Sequence, residues 1–255
     1  MSFSESDHPA APLPGLVVRA QSGFYTVLTD AGRVVARLRG RLKMGRQTGD
    51  ILAVGDQVDV TLLADGSGAI EVVHSRQRAL IRLAPTTRGV YREVLLANPD
   101  QVLLIFACAD PEPRLRMLDR FLVICEKQGI PALIVANKVD LLGLERAKQI
   151  FGHYAPLGYP VIYTSVKARL GLAELEAALA GKLSGFTGPS GVGKSSLLNA
   201  IQNGLGLAVR EVSQATGKGR HTTQVPELFP LQEGGYVADM PGIKSLALWD
   251  TEPEE

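Results

Sequence analysis

The segment Gly188-Pro189-Ser190-Gly191-Val192-Gly193-Lys194-Ser195 decides the fold. It satisfies G-x-x-x-x-G-K-[ST] at every fixed position, and the chemistry behind that spacing is phosphate binding. Glycines let the backbone wrap close to an anion with N–H groups turned inward. A helix that begins at the loop adds the positive end of its dipole. Lys194 is expected to reach the β- and γ-phosphates, and Ser195, followed by Ser196, to ligate Mg²⁺ through its hydroxyl. The flanks agree: Ser184–Thr187 reads as a short strand and Lys194–Gln202 as the helix behind the loop.

Working outward, strands and helices alternate from Asn98 onward. Gln101–Ala107, Pro131–Ala136 and Val161–Thr164 are strands; Arg114–Gln128, Glu145–Tyr154 and Leu172–Leu183 have helical spacing. Such alternation predicts a mostly parallel sheet with helices on both faces, and ligands at the carboxyl edge of its strands. On the other side of the loop, the strand Tyr236–Ala238 runs into Asp239-Met-Pro-Gly242. Asp239 is expected to hold Mg²⁺ through water, and the Gly242 N–H to touch the γ-phosphate. Between lies Gly204–Val225, rich in Gly, Ser, Thr and Gln, and a stretch of this length without element signals is usually functional or disordered. It contains Gly217-Lys-Gly-Arg-His221-Thr222-Thr223, where a threonine hydroxyl suits the Mg²⁺ shell and His221 suits a water.

A phosphate loop does not choose a base. Asn137-Lys138-Val139-Asp140, at the end of the strand PALIVA, does. Guanine presents N1–H and its 2-amino group side by side, and the Asp140 carboxylate can accept from both. Adenine lacks that donor pair, so it would leave the carboxylate unpaired. Asn137 is expected to tie the loop to its neighbours, and the Lys138 stem to cover the ring face. One helix–strand unit later comes Thr164-Ser165-Val166-Lys167, whose backbone N–H groups suit guanine O6.

Ahead of all this, Gly15–Ala20, Gly23–Thr29, Arg33–Arg39, Gln57–Leu63 and Ala69–His74 read as five short strands separated by turn signals. They suit a small closed barrel such as an OB-fold, with an SH3-like barrel as the rival. The boundaries that follow are a disordered lead-in at 1–14, a barrel at 15–78, an Arg-rich connector at 79–97 and an α/β domain at 98–255. Net charge is only +1, but Arg33, Arg37, Arg39, Arg41, Lys43 and Arg46 fall within sixteen residues that hold no acid. That stripe suits RNA phosphates. Cys108 and Cys125 sit in apolar runs without metal-ligand spacing and suit core thiols in a reducing compartment. No apolar run of about 18 residues suggests a membrane span, and the N-terminus lacks a secretory pattern.

In ordinary GTPases the phosphate loop precedes the base-reading motif; here NKVD and TSVK precede GPSGVGKS, and DMPG comes last, a circular permutation. With SGFYTV, NPDQVLLIFA, LDRFLV, GPSGVGKSSLLN, GKGRHTT and DMPGIKSLALW, the chain resembles the ribosome small-subunit-dependent GTPase A family of bacteria from Gly15 onward. The resemblance implies an OB-fold that binds ribosomal RNA, followed by a circularly permuted P-loop GTPase domain with Mg²⁺. It implies a cytoplasmic monomer that binds GTP and GDP, assists late maturation of the small subunit and is stimulated by it. It also implies that Ile243 stands where many GTPases place a catalytic Gln, with His221 as the substitute and Thr223, or else Thr222, as the Mg²⁺-sensing threonine. The family usually adds a C-terminal zinc domain; Zn²⁺ belongs only to such a domain, and Cys108 and Cys125 cannot supply its ligands. Two rival readings stay open: a P-loop ATPase or kinase with an accidental NKVD, and a non-hydrolytic GTP-dependent RNA-binding module.

Ile243 offers no donor or acceptor for water, so His221→Ala is expected to keep GTP affinity and lose most turnover, because positioning acts in the transition state. Single-turnover hydrolysis at saturating GTP, with and without small subunits, checks it. Parent-like rates would assign water placement to RNA, backbone or the substrate's own phosphate.

Overall fold

The computed structural model describes residues 11–43, 49–86, 89–202 and 227–240. Alternating β-branched residues build β1 (Leu13–Gln21), β2 (Phe24–Thr29), β3 (Gly32–Leu38), β4 (Gln57–Leu62) and β5 (Gly68–Val73). They close into a barrel in the order β1-β2-β3-β5-β4. All neighbours are antiparallel except β3 and β5. This is the OB-like arrangement, and it removes the SH3-like alternative. Val17, Val27, Val34, Val58, Val60 and Ile70 fill the interior. Gly68 is small for a reason: a Cβ there would lie 2.6 Å from Val60 Cγ1 and 2.9 Å from Val34 Cγ1.

The segment read as a connector is a hairpin of β6 (Ala79–Thr86) and β7 (Gly89–Ala97), with a register shift between Leu80 and Ile81. Its base is wedged between the two larger units. Leu80 and Leu96 are buried in the core of the second unit, while Val94 and Ala97 pack with Ala53 of the first. Asp50 accepts from the Tyr91 hydroxyl at 2.7 Å and from the Val94 N–H at 2.8 Å. The Ile81 N–H donates to Gln128 Oε1 at 2.7 Å, and Gln128 Nε2 donates back to the Ile81 carbonyl at 3.2 Å. Gly55, at φ +92°, lies so close that a Cβ would stand 2.1 Å from the Ala97 carbonyl oxygen.

The second unit is a six-stranded sheet in the order β10-β9-β8-β11-β13-β12. Its elements are β8 (Gln101–Ala107), α1 (Leu115–Lys127), β9 (Ala132–Asn137), α2 (Leu144–Phe151), β10 (Val161–Tyr163), α3 (Leu172–Leu179), β11 (Leu183–Thr187), α4 (Lys194–Ile201), β12 (Leu228–Pro230) and β13 (Tyr236–Asp239). All pairs are parallel except β12 with β13. Every residue of β8 is buried, which suits a central strand covered on both faces. Leu104, Phe106 and Ile134 pack under α1 and α2, and Leu103, Ile105 and Phe186 under α3 and α4.

Three details depart from expectation. The helix expected over Glu145–Tyr154 ends at Phe151 and continues as a 3₁₀ turn over Gly152–Leu157, which holds Pro156. The helix expected to reach Leu183 stops at Leu179, because Gly181 takes φ +69° and Leu183 already belongs to β11. The antiparallel edge strand β12 was not expected, and at its entrance Glu227 forms a β-bridge with Arg19 of β1, their side chains 4.0 Å apart. Cys108 and Cys125 are buried thiols, pushed up to about 11 and about 12, chiefly by burial. Among the described residues no helix is long and apolar enough to cross a membrane.

The turn between barrel and hairpin is fixed by a buried ion pair. The Asp56 side chain is fully buried and accepts from Arg76 Nε and Nη2 at 2.7 Å each and from the Ala53 N–H at 2.7 Å. Asp56→Ala leaves the guanidinium without its carboxylate and is expected to cost about 3–5 kcal/mol of stability. Urea denaturation should show it as a lower midpoint, while loss below about 1 kcal/mol would mean that the pair is solvated like a surface pair.

Candidate nucleotide site

The loops that carry the sequence motifs meet at the carboxyl edge of the parallel strands. β11 lies between β8 and β13, with Phe186 in register with Asp239. The phosphate loop leaves β11 at Gly188, where φ is +152° and a Cβ would stand 2.0 Å from the Ile105 carbonyl oxygen of β8. Only glycine lets the loop pass over β8 at that distance. At the other end Gly193 takes φ +94° and caps α4, and a Cβ there would lie 2.5 Å from Asn137 Nδ2. The N–H groups of Gly191 to Ser195 have no backbone carbonyl partner among the described residues. These are the orphan donors of a helix N-terminus, and they suit an anion. Lys194 curls back, its Nζ donating to the carbonyls of Gly188 and Pro189 at 2.9 Å each.

Asn137, at the end of β9, is 2% exposed and ties three loops together. Its Nδ2 donates to the Val192 carbonyl at 2.8 Å, and its Oδ1 accepts from the Thr164 hydroxyl at 3.0 Å. Lys138 takes a left-handed backbone, φ 62° and ψ 37°, which turns the chain so that Val139 is buried and Asp140 is exposed. The Val139 N–H donates to the Thr164 carbonyl at 3.1 Å. Lys138 Nζ donates to the Asp110 carbonyl in the loop after β8. The Ser165 hydroxyl donates to Asp140 Oδ1 at 2.6 Å and accepts from the Ala168 N–H at 3.0 Å. Ser165 N–H is taken by the Leu170 carbonyl and Thr164 N–H by that of Ala136. Among the described residues that leaves the N–H groups of Val166 and Lys167 facing no backbone carbonyl, which narrows the expected O6 donors to these two.

Asp239 ends β13 beside Lys194. Burial raises the Asp239 pKa and the Lys194 charge lowers it; burial lowers the Lys194 pKa and the Asp239 charge raises it. The Ser195 hydroxyl and the Asp239 carboxylate are hard oxygen donors, a set that fits Mg²⁺. Among the described residues no group of three or more His, Cys, Asp or Glu is placed to hold a metal. His221, Thr222, Thr223, Gly242 and Ile243 lie outside the described residues.

The RsgA GTPase family profile matches residues 73–249, and the RsgA N-terminal domain profile matches residues 14–70. The chain belongs to the RsgA GTPase family. A relative from Gemmatimonas aurantiaca, named Small ribosomal subunit biogenesis GTPase RsgA, is 44% identical over 93% of this chain and 78% of its own length. Among solved structures, YjeQ from Thermotoga maritima superposes with TM-score 0.73 at 35% identity, covering 96% of this chain and 80% of that one. YloQ, described as a circularly permuted GTPase, gives TM-score 0.69 at 31% identity over 99% of this chain and 79% of its own. This member of the RsgA GTPase family is thus a circularly permuted GTPase behind an OB-like barrel.

Sequence reading took Thr164 only for a backbone N–H toward O6 and missed the role of its hydroxyl, which donates to Asn137 and orients it. It also assigned Arg33, Arg37, Arg39, Arg41, Lys43 and Arg46 to one basic stripe. Arg39 and Arg41 both bind Glu71, at 2.8 and 3.0 Å, while Arg46 and the Lys43 side chain lie outside the described residues. Base choice is testable at Asp140. Asp140→Asn removes the paired acceptor and is expected to weaken GTP binding by about 2–5 kcal/mol, with Ser165→Ala, which only unfixes the carboxylate, costing less. Fluorescent-nucleotide titration measures both, and parent-like binding by Asp140→Asn would take NKVD out of the site.

Proposed function

We propose that this chain hydrolyses GTP to GDP and phosphate, with Mg²⁺, while assisting assembly of the small ribosomal subunit in the cytoplasm as a monomer. The observation that carries it is the buried Asn137 amide, which locks the base-reading loop to the phosphate loop and so makes one site from two motifs that the chain order separates. The subunit comes from the name of the relative, Small ribosomal subunit biogenesis GTPase RsgA.

In this reading Asp140 accepts from guanine N1–H and its amino group, fixed by Ser165, while Val166 and Lys167 N–H groups face O6. The loop from Gly188 to Ser195 cradles the β- and γ-phosphates, and Lys194 exchanges two carbonyl partners for phosphate oxygens. Ser195 and Asp239 would hold Mg²⁺, with Thr223 completing its shell. When bound, that ion neutralises charge on the β- and γ-oxygens. Gly242 N–H contacts the γ-phosphate, and His221 orients the attacking water in place of the Gln that Ile243 replaces. The barrel's arginines contact ribosomal RNA.

GTP turnover with purified small and large subunits added separately is the test. Small subunits should raise turnover and large ones should not. Ser195→Ala should remove most Mg²⁺-dependent turnover without lowering stability. A parent that binds GTP tightly but never turns it over, with either subunit, would favour the non-hydrolytic binding module.

A further inference from the structure

Asp239 stands beside Lys194 on the face of the sheet that α3 and α4 cover, and a methionine stands behind it on the other face. Side chains alternate along β13. Val237 therefore joins the core under α3 and α4, while Ala238 and Met240 turn into the core that the hairpin closes. Met240 is 4% exposed, although it lies one residue past the end of the strand. Its N–H continues the ladder, donating to the Phe186 carbonyl of β11 at 3.0 Å. Its side chain reaches Gly185 of β11. A Cβ built on Gly185 would stand 2.6 Å from Met240 Cε, 3.2 Å from Leu96 Cδ2 and 3.5 Å from Val102 Cγ2. Gly185 lies inside a strand and makes no left-handed turn, so its missing side chain serves to make room for the methyl group. One thioether thus meets three elements within the space of a single methyl: β11, which runs into the phosphate loop, β8 through Val102, and the hairpin through Leu96.

We propose that Met240, backed by Leu96 of the hairpin, is the positioning residue that aims the Asp239 carboxylate at the metal. The inference rests on the reading of Asp239 as a holder of Mg²⁺, and adds what fixes that side chain. Asp239 feels the Lys194 charge, and among the described residues no hydrogen bond aims its carboxylate. Its direction is therefore set by its own backbone. A residue at a strand end keeps its orientation only while the next residue stays in the ladder. Met240 secures this twice, with an N–H bonded to β11 and a side chain buried on the opposite face, so the peptide between the two residues cannot roll. Methionine suits the task because its unbranched, flexible thioether fills an irregular gap. Leu96 closes that gap from the far side, which makes the base of the hairpin a wall of the metal site. A methionine that merely filled core would lower stability on removal and leave the metal untouched, so the test reads the metal.

The experiment follows binding of a fluorescent, non-hydrolysable GTP analogue to the full chain across a Mg²⁺ titration, beside thermal unfolding. Met240→Ala should raise the Mg²⁺ midpoint roughly ten-fold, the scale for lost support of a metal ligand, and leave binding in EDTA as in the parent. Leu96→Ala should shift the midpoint in the same direction. Met240→Leu, a volume-conserving change, should stay near the parent. Leu179→Ala, a buried truncation on α3, should lower Tm without moving the midpoint. Gly185→Ala alone should raise the midpoint, because its methyl evicts that of Met240. In the Met240→Ala background it should recover part of the loss, because the new methyl fills the vacated place. A midpoint that moves no more in Met240→Ala than in Leu179→Ala overturns the inference and returns Met240 to core filling. One that moves there but not in Leu96→Ala strikes out the part given to the hairpin. Should Met240→Ala not fold, Gly185→Ala decides, and a parent-like midpoint in it overturns the inference. Asp239→Asn separates the two readings. A parent-like midpoint in that variant removes Asp239 from the metal and takes both down, whereas a raised one beside a parent-like Met240→Ala sinks the positioning role alone.

Discussion

Asn137 is a buried amide whose two ends are both used. One end holds the carbonyl of Val192 inside the phosphate loop, and the other is held by the Thr164 hydroxyl. An unpaired buried amide is expensive, so the three loops stand or fall in a single arrangement. Gly193 exists at its position partly because that amide occupies the space where a Cβ would go. In the proposed reading, base specificity and the shape of the anion cradle both follow from this one hydrogen-bonded junction rather than from independent features.

The junction also explains why the chain order is free to change. β9, β8, β11 and β13 are neighbours in the sheet and run parallel, so their following loops share an edge whatever the order in which the chain visits them. Permutation moves the ends of the chain and leaves the junction untouched. What it alters is which loops are joined to the rest of the molecule. The base-reading half is connected through β8 to the hairpin and barrel, and the phosphate half is entered last.

Much of this was legible from side-chain pattern. QVLLIFA reads as a doubly covered strand because six apolar residues follow one another without alternation, and all seven residues are indeed buried, while the barrel strands alternate as a one-sided sheet must. The phosphate and base motifs are legible because their chemistry fixes residue type at fixed spacing. The hairpin was not: its arginines look like a solvated linker, and only the tertiary structure shows Arg82 answered by Glu93 across the strands, with Leu80 and Leu96 turned into a core. The segment holding Thr164 and Ser165 was read as facing guanine, but the bonds of their hydroxyls to Asn137 and Asp140 were opaque, since those partners are twenty-five and more residues distant in sequence. The split in the basic stripe is likewise set by Glu71, about thirty residues from Arg39 and Arg41.

Arg19 and Glu227 join the first strand of the barrel to the place where the chain returns to the sheet. Glu227 stands at the entrance to β12, which pairs with β13, the strand that ends at Asp239. Any tilt of the barrel against the sheet therefore pulls on β12 and, through its ladder with β13, on the strand that carries Asp239.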